Sequence, residues 1–426
     1  MGTVFILFLV FLFLGMPVAF AIAVSGLWFF VQTPELPYTI VVQRTISTSQ
    51  SFTMLAVPLF IFAGHLMNST GITPRLMKLA SVLTGHMWGN LAQVSIVLST
   101  LMSGVSGSAV ADAAMQSRIL GPAMEEKGYR KSYSAAVINV SSMVVATLPP
   151  SMGLILFGTL GEVSIGRLFI GGIVPGFMLM VAYMISTSIT ARRLGYAPEN
   201  AKPPSLKEVA VGFVDGIWAL IFPIILIVFI RFGIFTPSES GAFAAVYAIL
   251  IGVFVYKELT FKKFLNTLLM SARDIGAIML LISVSGVFGF GVIFDRLGPT
   301  LSEFLLNITT NPTALLFLII IFLLGIGMLM ESTVITLILT PIFVPIVRSV
   351  GIDPVHFGLV MMTITTLAQK TPPAGISLLA VSSILECKPE ETAKDSLALY
   401  GATVIVVLLV VLFPSLVLFL PNLLFG

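Results

Sequence analysis

Long apolar runs, broken only by short polar clusters, recur from one end of this chain to the other, and residues 1–31 contain no charged side chain. A helix needs about 20 predominantly apolar residues to cross the hydrocarbon of a bilayer. Composition agrees: of 426 residues 57% are hydrophobic and 10% are charged, against about 25% charged in soluble proteins. Twenty-two Lys+Arg and 19 Asp+Glu are too few to clothe a soluble fold of this length. A cytosolic enzyme, a nucleic-acid binder and a disordered chain are therefore excluded. The apolar residues, about 243 in all, are enough for roughly ten to twelve spans. The first run lacks a basic start and exceeds the roughly 7–15 apolar residues of a cleavable signal, so a retained first helix is expected. One cysteine, Cys387, excludes an internal disulfide, and His65, His86 and His356 lie too far apart in sequence to support a histidine metal site.

Helices are predicted near 3–31, 53–70, 133–158, 168–190, 213–233, 237–255, 275–294, 313–324, 355–369 and 398–420. Segments 91–117 and 325–347 are apolar but dense in Gly, Ser and Thr. Positive charge gathers at Arg118/Lys127/Arg130/Lys131, Arg192/Arg193/Lys202/Lys207 and Lys257/Lys262/Lys263/Arg273. The positive-inside rule places these loops in the cytoplasm. The halves also echo one another. Pro17 aligns with Pro237, Gly64 and Gly71 with Gly291 and Gly298, and Pro122, Gly128 and Pro149-Pro150 with Pro345, Gly351 and Pro372-Pro373. Three matches in order at nearly one offset predict a duplication. It comprises residues 1–195 (hairpin about 91–117, broken helix about 133–158), a polar linker at 196–212, and residues 213–426 (hairpin about 313–347, broken helix about 355–384). The loop at 118–131 is basic and its counterpart at 348–354 is not, which favours inverted repeats of the kind found in secondary transporters.

Three constellations carry the chemistry. In 99–112, Ser99, Thr100, Ser103, Ser106 and Ser108 with Gly104 and Gly107 interrupt an apolar segment. Irregular backbone at that depth must be buried in protein or line a wet cavity. It reads as a re-entrant tip that binds a hard cation and a substrate, the alternative being small-residue helix packing. Next come Thr147-Leu-Pro149-Pro150-Ser151 and Lys370-Thr371-Pro372-Pro373. Adjacent prolines remove backbone donors and unwind a helix, freeing carbonyls to coordinate Na⁺; the alternative is a plain kink. The third is Gly325-Ile-Gly327-Met-Leu-Met-Glu331-Ser332, where an acid in a span is by default functional. Lys370 either neutralises a substrate carboxylate, pairs with an acid or snorkels to the interface. No GxxxxGK[ST] phosphate loop and no hydrolase constellation in a plausible context occurs, so neither direct ATP use nor enzymatic activity is expected.

Gly15-Met-Pro-Val-Ala-Phe-Ala, Val57-Pro-Leu-Phe-Ile-Phe-Ala-Gly64, the Ser103–Ser108 tip, Leu148-Pro-Pro-Ser151, Phe235-Thr-Pro-Ser-Glu-Ser240 and Thr371-Pro-Pro-Ala-Gly375 together resemble the large membrane subunit of tripartite ATP-independent periplasmic (TRAP) transporters. The likeness runs from about residue 3 to 420. It implies an all-α polytopic protein of the bacterial inner membrane with two re-entrant hairpins, discontinuous helices and an elevator-type transport domain beside a scaffold. It also implies a separate small four-helix membrane subunit, since none is fused at the N-terminus, a periplasmic substrate-binding protein, and Na⁺-coupled import of an organic acid of the sialic acid or C4-dicarboxylate class. Carried onto this chain, one Na⁺ site would use Ser103, Ser106, Gly107, Thr147 and Pro149, and a second Gly325, Gly327, Thr366, Thr371 and Pro372. Substrate would lie near Ser108, Pro150, Ser151, Glu331, Ser332, Lys370 and Pro373. The competing expectation is a stand-alone Na⁺/dicarboxylate-type symporter that needs no binding protein.

Overall fold

The computed structural model describes residues 1–425, and the backbone alone at residues 105 and 106. Among the described residues every regular element is a helix. Six helices among the described residues are long and apolar enough to cross a membrane, or up to nine if each sharply bent pair is one span.

Local chemistry decides where these helices start. Ser205 accepts from the Glu208 amide, and the Glu208 carboxylate accepts from the Ser205 amide at 2.7 Å, closing a capping box at the head of Leu206–Arg231. Thr236 and Glu239 do the same for Pro237–Leu250, with Pro237 in the first turn. Such reciprocal caps satisfy amides that a helix start leaves orphaned. The first box moves the start of its helix back from the expected 213, and the polar connection shrinks to the residues between Gly195 and Ser205. Thr260 likewise accepts from the Lys263 amide and begins a helix at Phe261 that runs to Phe294, well before the expected 275.

Two expected single spans are divided. The run at 3–31 breaks between Gly2–Phe13 and Val18–Gln32, where Gly15 takes a φ of +80° and Pro17 follows. The run at 398–420 breaks at Pro414, between Leu397–Leu412 and Ser415–Phe425. Proline withholds a backbone donor and its ring clashes with the preceding turn. Helices Thr39–Ser49, Ile72–Thr84 and Leu297–Ile308 were not expected. The last is bent by 118° against Pro312–Gly327.

Helices group around two centres. Ala56–Ser69 packs against Pro237–Leu250 and against Phe261–Phe294, which also meets Val18–Gln32 and Thr39–Ser49. Around the second centre, Ile165–Leu194 packs against Leu397–Leu412, Ser415–Phe425, Asn90–Ser106 and Pro354–Ala368. Lipid tails are as apolar as Leu, so close packing and interhelical hydrogen bonds, rather than expulsion of water, hold such helices together. Both devices are present. An added Cβ on Gly172 would collide with the Thr147 carbonyl oxygen. The buried Tyr183 hydroxyl lies 2.8 Å from the Thr403 hydroxyl, and His356 Nε2 lies 2.9 Å from the Val410 carbonyl.

Candidate functional site

The first hairpin is Asn90–Ser106, a turn at Gly107 and Ser108, and Ala109–Glu126, longer than the expected 91–117. Gly107 takes a φ of +60°, a conformation that costs an L-residue roughly 1–2 kcal/mol. Ser108 then caps the second arm, accepting from the Ala111 amide at 3.4 Å. The tip lies on the first helix break. Lys131–Ser141 and Met143–Thr147 lead into it, and Met152–Leu160 leaves it at a bend of 42°. Met152 donates its amide to the Gly107 carbonyl at 3.3 Å, and a Cβ on Gly107 would stand 3.1 Å from the Pro150 carbonyl oxygen.

A matching contact occurs in the other half. Pro312–Gly327 and Ser332–Ser349 form the second hairpin, and Pro354–Ala368 and Ile376–Ile384 flank the second break. A Cβ on Gly327 would stand 2.6 Å from that of Ala368 and 3.5 Å from the Thr365 carbonyl. The bonds Pro149–Pro150 and Pro372–Pro373 are both cis. The two breaks differ in exposure: Pro149 and Pro150 are buried, whereas Pro372 and Pro373 are exposed.

Of the predicted cation ligands, Gly107 and Gly327 make these contacts, and Ser103 and Pro149 line one cavity. Ser103 is buried, donates to the Thr100 carbonyl at 2.7 Å and shares a cavity wall with Pro149. Thr147 donates to the Met143 carbonyl at 3.3 Å, and Thr371 to that of Ala368 at 2.9 Å. The Ser106 side chain lies outside the described residues. Gly325 is exposed and meets open space, so it stands apart from the Gly327 contact. Among the described residues the buried hydroxyls of Ser151 and Thr366 have no hydrogen-bond partner. An unpartnered buried hydroxyl costs about 1–3 kcal/mol. One stands just after the first break and the other just before the second.

The predicted substrate residues divide. Ser108 borders a cavity of about 220 Å³ together with Met152, and across it stand Asn68, His65 and Asp274 from the other helix group. His65 Nε2 lies 2.7 Å from Asp274 Oδ2. Glu331 is exposed at the head of Ser332–Ser349 and accepts from the Thr333 hydroxyl at 3.1 Å, while Ser332 is half-buried beside it. Lys370 is wholly buried, which excludes snorkelling. Its Nζ donates to Ser142 at 2.6 Å and to Ser377 at 3.4 Å, so protein hydroxyls take up two of its three donors. Ser377 donates to Asn139 at 2.6 Å, and Tyr400 donates to the Lys370 carbonyl. Lys370 therefore ties the second broken helix to the first.

A second network braces the first hairpin. Asp112 Oδ2 accepts from Ser99 and Gln116, each at 2.8 Å. Ser95 donates to Gln116 at 2.7 Å and lies 3.1 Å from the Ser141 hydroxyl on the broken helix. Sequence reasoning missed Asn139, Ser142, Ser377 and the His65–Asp274 pair. The one signal it held was a histidine inside the apolar run at 53–70 and an acid just before the run at 275–294.

The helices and their apolar spans define an all-α polytopic membrane protein. Residues 5–416 match the family described as "Tripartite ATP-independent periplasmic transporter, DctM component". The chain is 34% identical over 417 residues to the sialic acid TRAP transporter large permease protein SiaM of Vibrio cholerae, covering 97% of each. It is 31% identical over 424 residues to the C4-dicarboxylate TRAP transporter large permease protein DctM of Rhodobacter capsulatus, covering 96% of each. In fold it is similar to the Alcanivorax borkumensis YdaH transporter, at a TM-score of 0.65 and 14% identity over 89% of this chain and 88% of that one. The chain belongs to the DctM family of TRAP transporter large permease subunits. It is a transporter subunit and not an enzyme.

Proposed function

We propose that this chain carries an organic acid of the sialic acid or C4-dicarboxylate class across the bacterial inner membrane, driven by Na⁺ and by an elevator movement. The observation that carries the reading is a hairpin arm packed against each broken helix, Gly107 beside Pro150 and Gly327 beside Ala368, with an unpartnered buried hydroxyl near each break. Unwound carbonyls and half-helix ends are how transporters of this architecture hold small cations and anionic substrates. Ser103, Ser106, Gly107, Thr147 and Pro149 would hold one Na⁺. Gly327, Thr366, Thr371 and Pro372 would hold a second, with Gly325 at its edge. Substrate would enter beside Ser108, Pro150, Ser151, Glu331, Ser332 and Pro373, and Lys370 would act by keeping the two breaks in register.

Two inverted repeats, residues 1–195 and 213–426, would supply the two tip-and-break pairs. The helix group built on Phe261–Phe294 would be the stationary scaffold. The substrate class rests on the names of the two relatives, and the word tripartite in the family description supports two further components. These would be a periplasmic binding protein and a small four-helix membrane subunit. Reconstitution tests this division of labour. Uptake into proteoliposomes should require this chain, the small subunit and the loaded binding protein together. Uptake by this chain alone would instead favour a stand-alone Na⁺/dicarboxylate-type symporter.

A further inference from the structure

An apolar groove runs along Ile165–Leu194, and on one side it reaches the wall of the first tip at Ser103 and Pro149. Phe177, Val181, Ile185 and Ile189 are each about half exposed (49–56%), and their spacing of four puts them on one helical face. Cavities flank this stripe on two sides. One of about 510 Å³ lies towards Leu206–Arg231, with Phe177 and Met184 on one wall and Pro223 and Ile224 on the other. Another of about 510 Å³ lies towards Leu397–Leu412, between Phe177, Val181 and Ile185 and the side chains of Ile405 and Leu409. Both volumes fall within the roughly 300–1,000 Å³ of ordinary ligand sites.

The groove has a charged end. A third cavity continues from Val181, Met184 and Ile185 to Arg192. The exposed Arg192 guanidinium sits 5.8 Å from the centre of the Trp88 ring, and Arg193 follows it. Among the described residues neither arginine joins an ion pair. From Phe177 to Arg192 the helix rises about 22 Å. Half of a bilayer with its headgroups is about 20–22 Å. The basic end belongs on the cytoplasmic side, where anionic lipids attract Lys and Arg.

We propose that this groove binds one anionic phospholipid of the cytoplasmic leaflet, with its phosphate on Arg192 and its two acyl chains on either side of the Phe177–Val181–Ile185 stripe. The geometry supplies a cation for the head, a furrow for each tail, and the length of one leaflet between them. One tail cavity ends at Ser103 and Pro149, so the lipid shares a wall with the first tip.

Native mass spectrometry of the detergent-purified full chain, with equal amounts of phosphatidylglycerol and phosphatidylethanolamine, tests it. One phosphatidylglycerol adduct should outnumber the phosphatidylethanolamine adduct about fivefold, the preference expected of one arginine near a headgroup. Arg192→Gln should abolish the preference. Ile185→Trp, which fills the furrow and leaves the charge, should lose the adduct. The variants test head and tails separately, so a folding failure in one leaves the other decisive. An unchanged preference in Arg192→Gln, or an unchanged adduct in Ile185→Trp, would overturn the proposal. So would displacement of the lipid when the small membrane subunit is added, which would give the groove to a protein helix.

Discussion

Thr366 sits buried in Pro354–Ala368 with no hydrogen-bond partner among the described residues. Valine has the same shape without the oxygen, so Thr366→Val removes a desolvation cost of about 1–3 kcal/mol. Melting in detergent should therefore show unchanged or raised stability. The Na⁺ concentration that half-saturates uptake should rise about fivefold or more, equivalent to about 1 kcal/mol of lost coordination. An unchanged Na⁺ titration would reduce the hydroxyl to a packing defect. Lys370 predicts the opposite pattern. Lys370→Met keeps much of the volume but removes the bonds to Ser142 and Ser377, a loss of about 1–3 kcal/mol. Unfolding in detergent should register that loss, and unimpaired stability would show that the bonds do not join the broken helices.

The two Pro-Pro breaks were legible because adjacent prolines act through the local backbone. The breaks at Gly15–Pro17 and at Pro414, in contrast, fell inside runs read as single spans. The amphipathic helices were not legible either, since a search for apolar runs passes over Thr39–Ser49 with its Gln43 and Arg44 and over Ile72–Thr84 with its Arg75 and Lys78. The early starts at Leu206 and Phe261 came from polar caps lying outside the apolar windows. The partners of Lys370 were beyond reach for another reason. Ser142 lies 228 positions away, and no local pattern encodes that contact. Caps also give a clean test at this scale. Thr236→Ala removes one half of the box that starts Pro237–Leu250 and should cost about 0.5–2 kcal/mol, seen as a lower melting temperature. Thr236→Ser should restore most of it, and a neutral Thr236→Ala would contradict the capping role.

Across the whole molecule, one helix group carries both tips and both breaks, and the other presents Ala56–Ser69 and Phe261–Phe294 to the first tip across a cavity. An elevator requires these groups to slide. Asn68 and Ala111 stand on opposite sides of that cavity. A bis-maleimide bridge between Asn68→Cys and Ala111→Cys, with Cys387→Ser in the background, should stop uptake. Normal uptake by fully bridged protein would contradict the sliding movement. The proposed coupling rests on oxygens at the tips and breaks rather than on a nucleotide site. It is tested most directly in proteoliposomes holding this chain with its small subunit and the loaded binding protein. An inward Na⁺ gradient should drive the organic acid to a higher concentration inside than outside, and an equal K⁺ gradient should not. Accumulation that is the same under both gradients would contradict the account.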